Sequence, residues 1–366
     1  MTLSIGFDAR YIRTDHHDGI SRFSARLAFE LAKLVTARDD LALTFLINSE
    51  AQAVFLPEGA STHVISAPTS PAEPLIARTV NEFGLDIVFS PMQTMGSRGR
   101  RYKLVLTVHD LIYYRHPMPP RQFNFALRAL WRLYHLSWWP QRWLLNGADA
   151  IVSVSRTTAA LIADNHLTRR PVYVVSNAAD VPALSPNVGD ERSRSIVYMG
   201  SFMPYKNVET LIASLDDLPG YELHLLSRIH PKDRARLSQL TGSRNVVFHD
   251  GVSDALYAEL VSRAQALVTA SLDEGFGIPV IEAMALGTPV VCSDIAIFRE
   301  IGGDAAIFVD AMDARGFASA ITSLEDPTVF AQRRQAGLRQ AETFSWEASA
   351  KALLDVLVKV GAEPIR

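Results

Sequence analysis

The sequence predicts an α/β protein made of two Rossmann-like domains, each a doubly wound parallel sheet, that face each other across a cleft. Three observations carry this prediction. Short apolar segments of strand length alternate with helical patterns along the whole chain. The 366 residues exceed one ordinary domain, for which about 150 residues is typical. A segment with two prolines, a glycine and charges, near Pro182–Gly189, separates the two halves.

The strand pattern sets the predicted domain boundaries. An N-terminal domain spans 1–178, a linker spans 179–194, and a C-terminal domain spans 195–344. The candidate strands of the first half are 3–8, 42–47, 62–66, 86–90, 103–108, 149–154 and 172–175. Those of the second half are 195–200, 222–226, 245–248, 266–270, 289–292 and 306–309. Open parallel sheets bind ligands at the carboxyl ends of their strands, so the residues after these strands are the candidate site.

Composition excludes few classes of protein. Hydrophobic residues make up 48% and charged residues 20%, which is ordinary for a soluble globular chain. The formal net charge of −3 gives no overall attraction to nucleic acid, so no nucleic-acid partner is expected. The halves differ in charge. Residues 1–185 carry 19 Lys and Arg against 15 Asp and Glu, a net +4, and residues 186–366 carry 17 against 24, a net −7.

Cysteine content and apolar runs indicate a cytoplasmic location. Cys292 is the only cysteine and lies in an apolar run, which favours a buried thiol. The segment Met1–Asp8 has the pattern of a first strand and lacks the basic start and apolar core of a signal peptide. No apolar run approaches the roughly 20 residues that span a bilayer.

The segment Asp273–Pro289 is the most informative in the chain. It places Glu274 and Glu282 on either side of a Gly-Phe-Gly turn that follows an apolar strand and precedes a short helix. Glycines allow close approach of the backbone to a ligand, and a helix N-terminus favours phosphate. Carboxylates accept hydrogen bonds from hydroxyl groups. Phosphate at the turn and hydroxyls on both sides describe a nucleotide-sugar; the alternative is a strand, turn and helix whose glutamates are only solvated.

This segment, EGFGIPVIEAMALGTPVV, resembles the E-x7-E motif of the family 4 glycosyltransferases, which have the GT-B fold. The resemblance implies an N-terminal acceptor domain and a C-terminal donor domain, with a last helix at about 345–362 that packs back onto the first domain. It implies that Glu282 binds the ribose hydroxyls and that Glu274 binds hydroxyls of the donor sugar. The donor-binding turn would consist of Gly275, Phe276, Gly277 and Ile278.

The first strand of the second half is followed by a second motif of this resemblance. Gly200 and Ser201 end the strand, and Lys206 and Asn207 match the G-x5-K-N form in which the lysine reaches the donor diphosphate. A lysine there would neutralise charge on the leaving nucleotide. Many relatives also carry an arginine beside this lysine, which this chain lacks. Arg228, after strand 222–226, is the candidate substitute.

The first half carries weaker signals. Gly19 lies at a loop-to-helix junction similar to the family's glycine turn, although Ser21 replaces the second glycine. His109 and Asp110 follow the buried strand 103–108, and the resemblance places His109 near the reacting sugar. The expected catalytic residues are therefore His109, Lys206 and Glu274. A plain turn glycine at Gly19 and a structural hydrogen bond at His109–Asp110 remain alternatives.

No metal or cofactor is expected. The D-x-D triplet that carries the metal in the other large class of glycosyltransferases occurs nowhere in the sequence. His16 and His17 lie between Asp15 and Asp18, but adjacent residues rarely point at one ion, so a solvated loop is expected there. The nucleotide-sugar is a substrate, with GDP-mannose favoured by the breadth of the family.

The segment 115–143 predicts a contact with a membrane. Between Leu111 and Ala148 there are no acidic residues, whereas five arginines and four of the five tryptophans lie there. Basic residues with interfacial aromatics are typical of a helix on an anionic membrane surface. The alternative is a buried aromatic helix pair with solvated arginines on its other face.

The expected function is therefore a retaining, metal-independent glycosyltransferase for cell-surface polysaccharide or glycolipid synthesis, acting on a glycan or lipid-linked acceptor. Three alternatives remain open. A dinucleotide-dependent oxidoreductase would explain Gly275 and Gly277, but Val280 stands at the third glycine position of that fingerprint. A non-catalytic nucleotide-sugar binding protein of the same fold and an epimerase are the others.

Overall fold

The computed structural model describes residues 2–14, 19–119, 124–181, 192–242 and 244–363. It divides into two compact units, Met1–Asn177 with Ser345–Arg366, and Ala178–Phe344. Each unit has its own parallel sheet and its own hydrophobic core. The prediction of two Rossmann-like parallel sheets is confirmed. The predicted domain boundaries stay predictions, and most of the predicted linker, 182–191, lies outside the described residues.

The sheet of the first unit has seven strands in the order β3-β2-β1-β4-β5-β6-β7. Every neighbouring pair is parallel. The strands are β1 Leu3–Asp8, β2 Leu41–Ile47, β3 Ser61–Val64, β4 Ile87–Ser90, β5 Lys103–Val108, β6 Ala150–Ser153 and β7 Val172–Val174. Each lies on a segment predicted from the sequence.

The sheet of the second unit has six strands in the order β10-β9-β8-β11-β12-β13, again all parallel. The strands are β8 Ser195–Tyr198, β9 Glu222–Leu225, β10 Val246–Phe248, β11 Ala266–Thr269, β12 Val290–Ser293 and β13 Ile307–Val309. The central strands β8, β11 and β12 are buried along their whole length, as expected for parallel strands covered on both faces. Cys292 lies in β12, and burial raises the pKa of its thiol.

Helices connect the strands in both units. Those of the first unit are α1 Gly19–Thr36, α2 Ile76–Val80, α3 Ile112–Arg115, α4 Phe125–His135, α5 Trp139–Asn146 and α6 Arg156–Asp164. Those of the second unit are α7 Val208–Ser214, α8 Pro231–Thr241, α9 Asp254–Arg263, α10 Ile278–Ala285, α11 Ala296–Gly302, α12 Ala314–Ser323 and α13 Pro327–Ala341. The last helix, α14 Trp346–Gly361, belongs to the first unit.

Side-chain caps fix where several of these helices begin. Ser155, Ser253 and Ser345 each accept a hydrogen bond from an N–H group of the first turn that follows. Such a cap satisfies one of the donors that a helix leaves without an intrahelical acceptor. The Ser345 cap begins α14, which packs along α1, and Ser349 donates a hydrogen bond of 2.7 Å to the carbonyl of Ser176.

A search of the helices that the structure describes finds none that is both long enough and apolar enough to cross a bilayer.

Candidate functional site

Each sheet has one point at which the strand order reverses. In the first unit it lies between β1 and β4, and in the second it lies between β8 and β11. Loops leave in opposite directions there, so a crevice forms at the carboxyl ends of the two strands. The motif with Lys206 follows β8, and the motif with Glu274 follows β11. The sequence motifs of the second unit therefore meet at its switch point.

Lys206 and Glu274 form an ion pair, although 68 residues separate them in the chain. The lysine side chain is 13% exposed and the glutamate side chain 14%. Lys206 ends a short turn, Pro204–Lys206, and its ammonium lies 5.3 Å from the ring centre of Tyr205. A cation and an anion thus lie side by side at the crevice, where the cation can bind phosphate and the anion can bind hydroxyls.

Neighbouring polar groups hold Glu274 in place. The hydroxyl of Ser271 donates a hydrogen bond of 3.0 Å to its Oε1 atom, the same atom that contacts Lys206. Ser293, at the end of β12, donates to the carbonyl of Ser271. Tyr198 lies beneath, and burial together with the charge of Glu274 raises its pKa well above the usual range, so its hydroxyl stays protonated.

The Gly-Phe-Gly turn leads directly into α10. Gly277 is the residue before this helix and has a φ of 98°, in the left-handed region that glycine adopts without strain. Pro279 lies in the first turn, where its missing N–H costs no hydrogen bond. Phe276 is buried, with its ring 5.7 Å from that of Phe344. The turn is therefore anchored by a buried ring while its backbone leads to the helix N-terminus, which favours anions.

Glu282 lies inside α10 and is buried. Tyr257, from α9, donates a hydrogen bond of 2.8 Å to its Oε2 atom. The sequence analysis missed this tyrosine, because nothing in the pattern of α9 sets it apart from the other apolar positions of that helix. Tyr257 fixes the orientation of the carboxylate that was predicted to bind ribose.

Gly200 and Ser201 follow β8 at the predicted place. A side chain at Gly200 would lie 2.7 Å from the hydroxyl of Tyr198, because that hydroxyl reaches across to the carbonyl of Ser201 at 2.6 Å. The N–H of Gly200 donates to Ser227 at 3.0 Å. Position 200 therefore requires glycine for internal packing, and its N–H group already has a hydrogen-bond acceptor in Ser227.

Asn207 has a structural role in addition to the predicted one. Its φ of 51° is left-handed, and it is the residue before α7. The side-chain amide donates to the carbonyls of Ala270 at 3.2 Å and Ala311 at 2.6 Å, and its oxygen accepts from Thr210 at 2.9 Å. Asn207 therefore joins the loops after β11 and β13 to α7, and it sets the position of its neighbour Lys206.

Arg228 follows β9 and is exposed. Its aliphatic stem covers Gly251, whose φ is 102° and where an added Cβ would lie 2.8 Å from the Cγ of Arg228. No ion pair of Arg228 is found within the part of the chain that the structure describes. Its charge is therefore not neutralised by a described carboxylate, which fits the predicted role as the second cation.

The predicted residues of the first unit lie at the carboxyl side of its sheet. Gly19 begins α1 and is exposed, while residues 15–18, with His16 and His17, lie outside the described residues. Ser21 is buried and accepts a hydrogen bond of 2.9 Å from the N–H of Arg13. The serine that replaces the family's second glycine thus joins the start of α1 to Arg13.

His109 follows β5 and is partly buried. Its Nε2 atom lies 2.7 Å from the carbonyl of Pro91, and since a carbonyl only accepts, Nε2 carries the hydrogen. The ring meets Phe23 of α1 edge-on at 5.1 Å. Asp110 accepts a hydrogen bond of 3.0 Å from the N–H of Ile112, the first residue of α3.

The first switch point contains a charged network that the sequence analysis missed. The side chain of Arg10 is fully buried, and its guanidinium lies 2.7 Å from the carboxylate of Asp8 and 2.7 Å from that of Glu73. Ser90, at the end of β4, donates a hydrogen bond of 2.9 Å to Asp8. Burial on its own lowers the pKa of Arg10, but the two carboxylates outweigh it and raise the pKa, so the guanidinium stays charged. The network ties the loop after β1 to β4.

No group of three or more His, Cys, Asp or Glu side chains that could hold a metal ion occurs in ranges 2–14, 19–119, 124–181, 192–242 and 244–363. The predicted independence of metal stays a prediction.

Two family models match the chain. The model described as Glycosyl transferases group 1 matches residues 185–340, and the model described as Glycosyltransferase Family 4 matches residues 17–182. Together they cover most of the sequence. The chain belongs to the group 1 and family 4 glycosyltransferases. This assignment leaves the oxidoreductase alternative without support, and Val280, buried in α10, stands where a dinucleotide fingerprint would need its third glycine.

The relatives of this glycosyltransferase include proteins named as mannosyltransferases. It is 28% identical to the MMP alpha-(1->4)-mannosyltransferase of Mycolicibacterium hassiacum over 70% of this chain and 66% of that protein. It is 34% identical to the O-antigen chain mannosyltransferase B of Escherichia coli over 41% of this chain and 42% of that protein. The match thus spans about two thirds of the first relative and less than half of the second.

Solved structures show the same fold. Sucrose-phosphate synthase from Thermosynechococcus elongatus has a TM-score of 0.76 at 20% identity, over 98% of this chain and 99% of that one. HepE from Anabaena, in complex with UDP and glucose, has a TM-score of 0.70 at 16% identity, over 97% and 99%. The GT-B fold class predicted from the sequence is confirmed.

Proposed function

We propose that this chain is a retaining, metal-independent glycosyltransferase that moves a sugar, with mannose from GDP-mannose favoured, to a glycan or lipid-linked acceptor. The observation that carries the proposal is the Lys206–Glu274 pair at the switch point of the second sheet, beside the N-terminus of α10. A nucleotide-sugar presents a diphosphate and a ring of hydroxyls, and this pair offers one partner to each. The mannosyltransferase relatives support mannose as the transferred sugar.

In the proposed donor complex, each protein group binds one part of the donor. Lys206 and the backbone N–H groups of the turn Phe276–Ile278 bind the diphosphate at the N-terminus of α10, because this end of a helix favours anions. Glu274 accepts hydrogen bonds from donor-sugar hydroxyls, and Glu282, held by Tyr257, accepts those of the ribose. Arg228 supplies the second positive charge. The pair Lys206–Glu274 separates as each partner turns to its own part of the donor.

The chemical step is a substitution at the anomeric carbon of the donor. The bond from this carbon to the diphosphate oxygen breaks, and an acceptor hydroxyl oxygen forms the new bond. The acceptor proton passes to the departing phosphate on the same face, which retains the configuration. Charge builds up on the leaving diphosphate, so Lys206 acts mainly in the transition state. His109 of the first unit is proposed as a catalytic residue, as the family resemblance implies.

The transfer is tested with variants of the ion pair. Lys206→Ala and Glu274→Ala are each expected to lower the kcat for donor turnover about 10²–10³-fold, the usual effect of removing one transition-state partner. The matched control is Asp216→Asn, which breaks an exposed ion pair with Arg244 in the same unit and should leave turnover unchanged. Full activity in both variants would refute the proposal, and donor binding without any turnover in the parent chain would indicate a non-catalytic binding protein.

The donor and the stereochemistry are tested separately. A thermal-shift panel of GDP-, UDP- and ADP-sugars should show the largest stabilisation with GDP-mannose, since a ligand that binds only the folded state raises its stability. HepE holds UDP and glucose, so UDP-glucose is the main competitor. The anomeric configuration of the product, determined by NMR, tests retention, and activity in EDTA tests independence of metal.

The proposed acceptor places the enzyme at the inner face of the cell membrane, in polysaccharide or glycolipid synthesis. The basic and aromatic segment 115–143 supports a peripheral contact with the membrane.

A further inference from the structure

A surface of the first unit presents large apolar side chains to solvent. Leu127, Leu130, Leu133 and Leu136 recur every three residues, so they form a ridge that is inclined to the axis of α4 and passes about half way round it, with Leu136 at the C-cap. Leu133 is 64% exposed and Leu136 is 77% exposed. We call this surface the α4–α5 face, and it consists of Phe125, Leu127, Leu130, Leu133, Leu136, Trp139 and Trp143, all exposed. An amphipathic helix of a globular protein ordinarily turns such a ridge towards its core.

The opposite side of α4 is fixed by aromatic contacts, so the leucines cannot turn inwards. Trp131 meets Tyr113 edge-on at 5.2 Å and stacks on His135 at 3.9 Å. His135 lies 4.8 Å from Tyr114, which itself stacks on Trp138 at 3.9 Å. The aromatic half of the segment therefore packs inwards, as the alternative to membrane contact predicted. The other half differs from that alternative, because it exposes leucines and tryptophans as well as arginines.

The segment that carries the α4–α5 face, from Leu111 to Ala148, contains arginines and no acidic residues. Arg128 and Arg132 lie on α4, and neither has an ion-pair partner in the described part of the chain. An open groove of about 700 Å³ beside α5 brings Arg98 next to Trp139 and Trp143. Arg142 also lines this groove, but its guanidinium donates to the carbonyls of Asn165 and His166. Guanidinium groups bind phosphate well, and indole rings favour the interface between lipid and water.

We propose that the α4–α5 face docks on an anionic lipid bilayer, with the leucine ridge and Phe125 in the acyl boundary and the arginines at the headgroup phosphates. The alternative occupant is a second copy of this chain. A symmetric pair would bring the arginines of both copies together, and repulsion between like charges opposes that arrangement. An anionic bilayer satisfies the apolar ridge and the charges at the same time.

Vesicle sedimentation of the full chain tests the leucine ridge. The parent chain should bind vesicles that contain phosphatidylglycerol at low salt and lose binding as salt is added, because salt screens the arginines. Leu130→Gln with Leu133→Gln should weaken binding about tenfold or more, since two buried side chains leave the acyl region. The matched control is Val54→Gln, which changes another exposed apolar residue of the same unit and should bind like the parent.

A second pair of variants tests the charge. Arg128→Gln with Arg132→Gln should weaken binding to phosphatidylglycerol vesicles about fivefold per arginine and leave the residual binding to phosphatidylcholine vesicles unchanged. Equal binding of the parent chain to both kinds of vesicle would contradict the proposal that the face docks on anionic headgroups. Unchanged binding of the leucine variant would contradict insertion of the leucine ridge into the acyl boundary. A lipid-free dimer that the leucine substitutions dissociate would show that a second copy covers the face.

This inference deepens the proposed membrane contact, but it can fail independently of sugar transfer. Vesicle binding is measured without donor, and donor turnover with a soluble acceptor is measured without lipid. The leucine variant should keep donor turnover while its binding to vesicles falls, because none of its substitutions lies in the second unit. Loss of turnover in Lys206→Ala with normal vesicle binding is the reciprocal result.

Discussion

Gly277 is the residue at which backbone geometry most directly limits the sequence. Its φ of 98° is strained for any residue with a side chain, and an added Cβ would lie 2.8 Å from Phe298 and 3.1 Å from Ile301. Gly277→Ala should therefore lower the free energy of unfolding by about 1–3 kcal/mol and shift the first turn of α10. Because that turn is proposed to bind the diphosphate, donor affinity should fall as well. Thermal unfolding and donor titration measure the two effects.

Gly220→Ala is the matched control for this prediction. Gly220 also has a left-handed φ, 81°, but its nearest neighbour to an added Cβ is an arginine nitrogen at 3.7 Å. Gly220→Ala should lower the free energy of unfolding through backbone strain alone, without a steric clash, and donor affinity should be unchanged. Equal donor affinity for Gly277→Ala and the parent chain would contradict a role of this turn in the donor site.

At the residue scale, sequence reasoning found motifs but not their partners. Lys206 and Glu274 each stand in a motif, so both could be predicted, and a common location at strand ends followed from the fold. Tyr257 and Glu73 stand in no motif. Tyr257 is one apolar position among several on α9, and Glu73 reaches Arg10 only because the chain folds back over 63 residues. Such contacts depend on tertiary packing, which local patterns do not record.

At the scale of elements, the strands were predictable because of burial. Both faces of a parallel sheet are covered, so strands such as β5 and β11 are continuous apolar runs between polar loops. The orientation of α4 was not predictable. Leucines at a spacing of three indicate a broad apolar surface, but the same pattern fits packing against the core and contact with a membrane. Only the aromatic contacts of Trp131 show which way α4 turns.

The edge of the second sheet should respond to pH through His249. This ring, just after β10, lies 3.0 Å from Nδ1 of His224 in β9. Burial and then His224 lower the pKa of His249 below its ordinary 6.5. Protonation therefore favours the unfolded chain. The contribution of His249 to stability is complete above pH 6.5 and is lost as the pH falls below that value towards the lowered pKa.

Hydrogen exchange of the β9 and β10 amides measures this dependence. Protection should fall as the pH is lowered below 6.5 towards the lowered pKa of His249, after correction for intrinsic exchange rates, and His249→Gln should reduce that fall. His166→Gln, which removes an exposed imidazole of the first unit, is the control and should keep the pH dependence of the parent chain. An unchanged dependence in His249→Gln would show that other groups titrate at this edge.

At the scale of the whole molecule, the two sheets share one plan. Each has a central strand from which the order reverses, β1 in the first and β8 in the second. The chain leaves the first unit after Asn177, builds the second, and returns at Ser345 to add α14. A helix added last in sequence thus completes the unit that begins the sequence. Leu353 and Leu357 of α14 are fully buried.

The return of α14 should therefore stabilise the first unit. Leu353→Ala with Leu357→Ala removes two buried side chains from its core side, and each such change costs about 2–5 kcal/mol. All five tryptophans belong to the first unit, and Trp346 lies in α14 itself, 6.0 Å from Phe23 of α1. Tryptophan fluorescence during urea unfolding therefore reports the first unit alone, and its transition should move to lower urea. Lys351→Ala, an exposed change on the same helix, should leave the transition in place. If the double variant unfolded at the urea concentration of the parent chain, α14 would contribute nothing to the first unit, and its buried leucines would need another explanation.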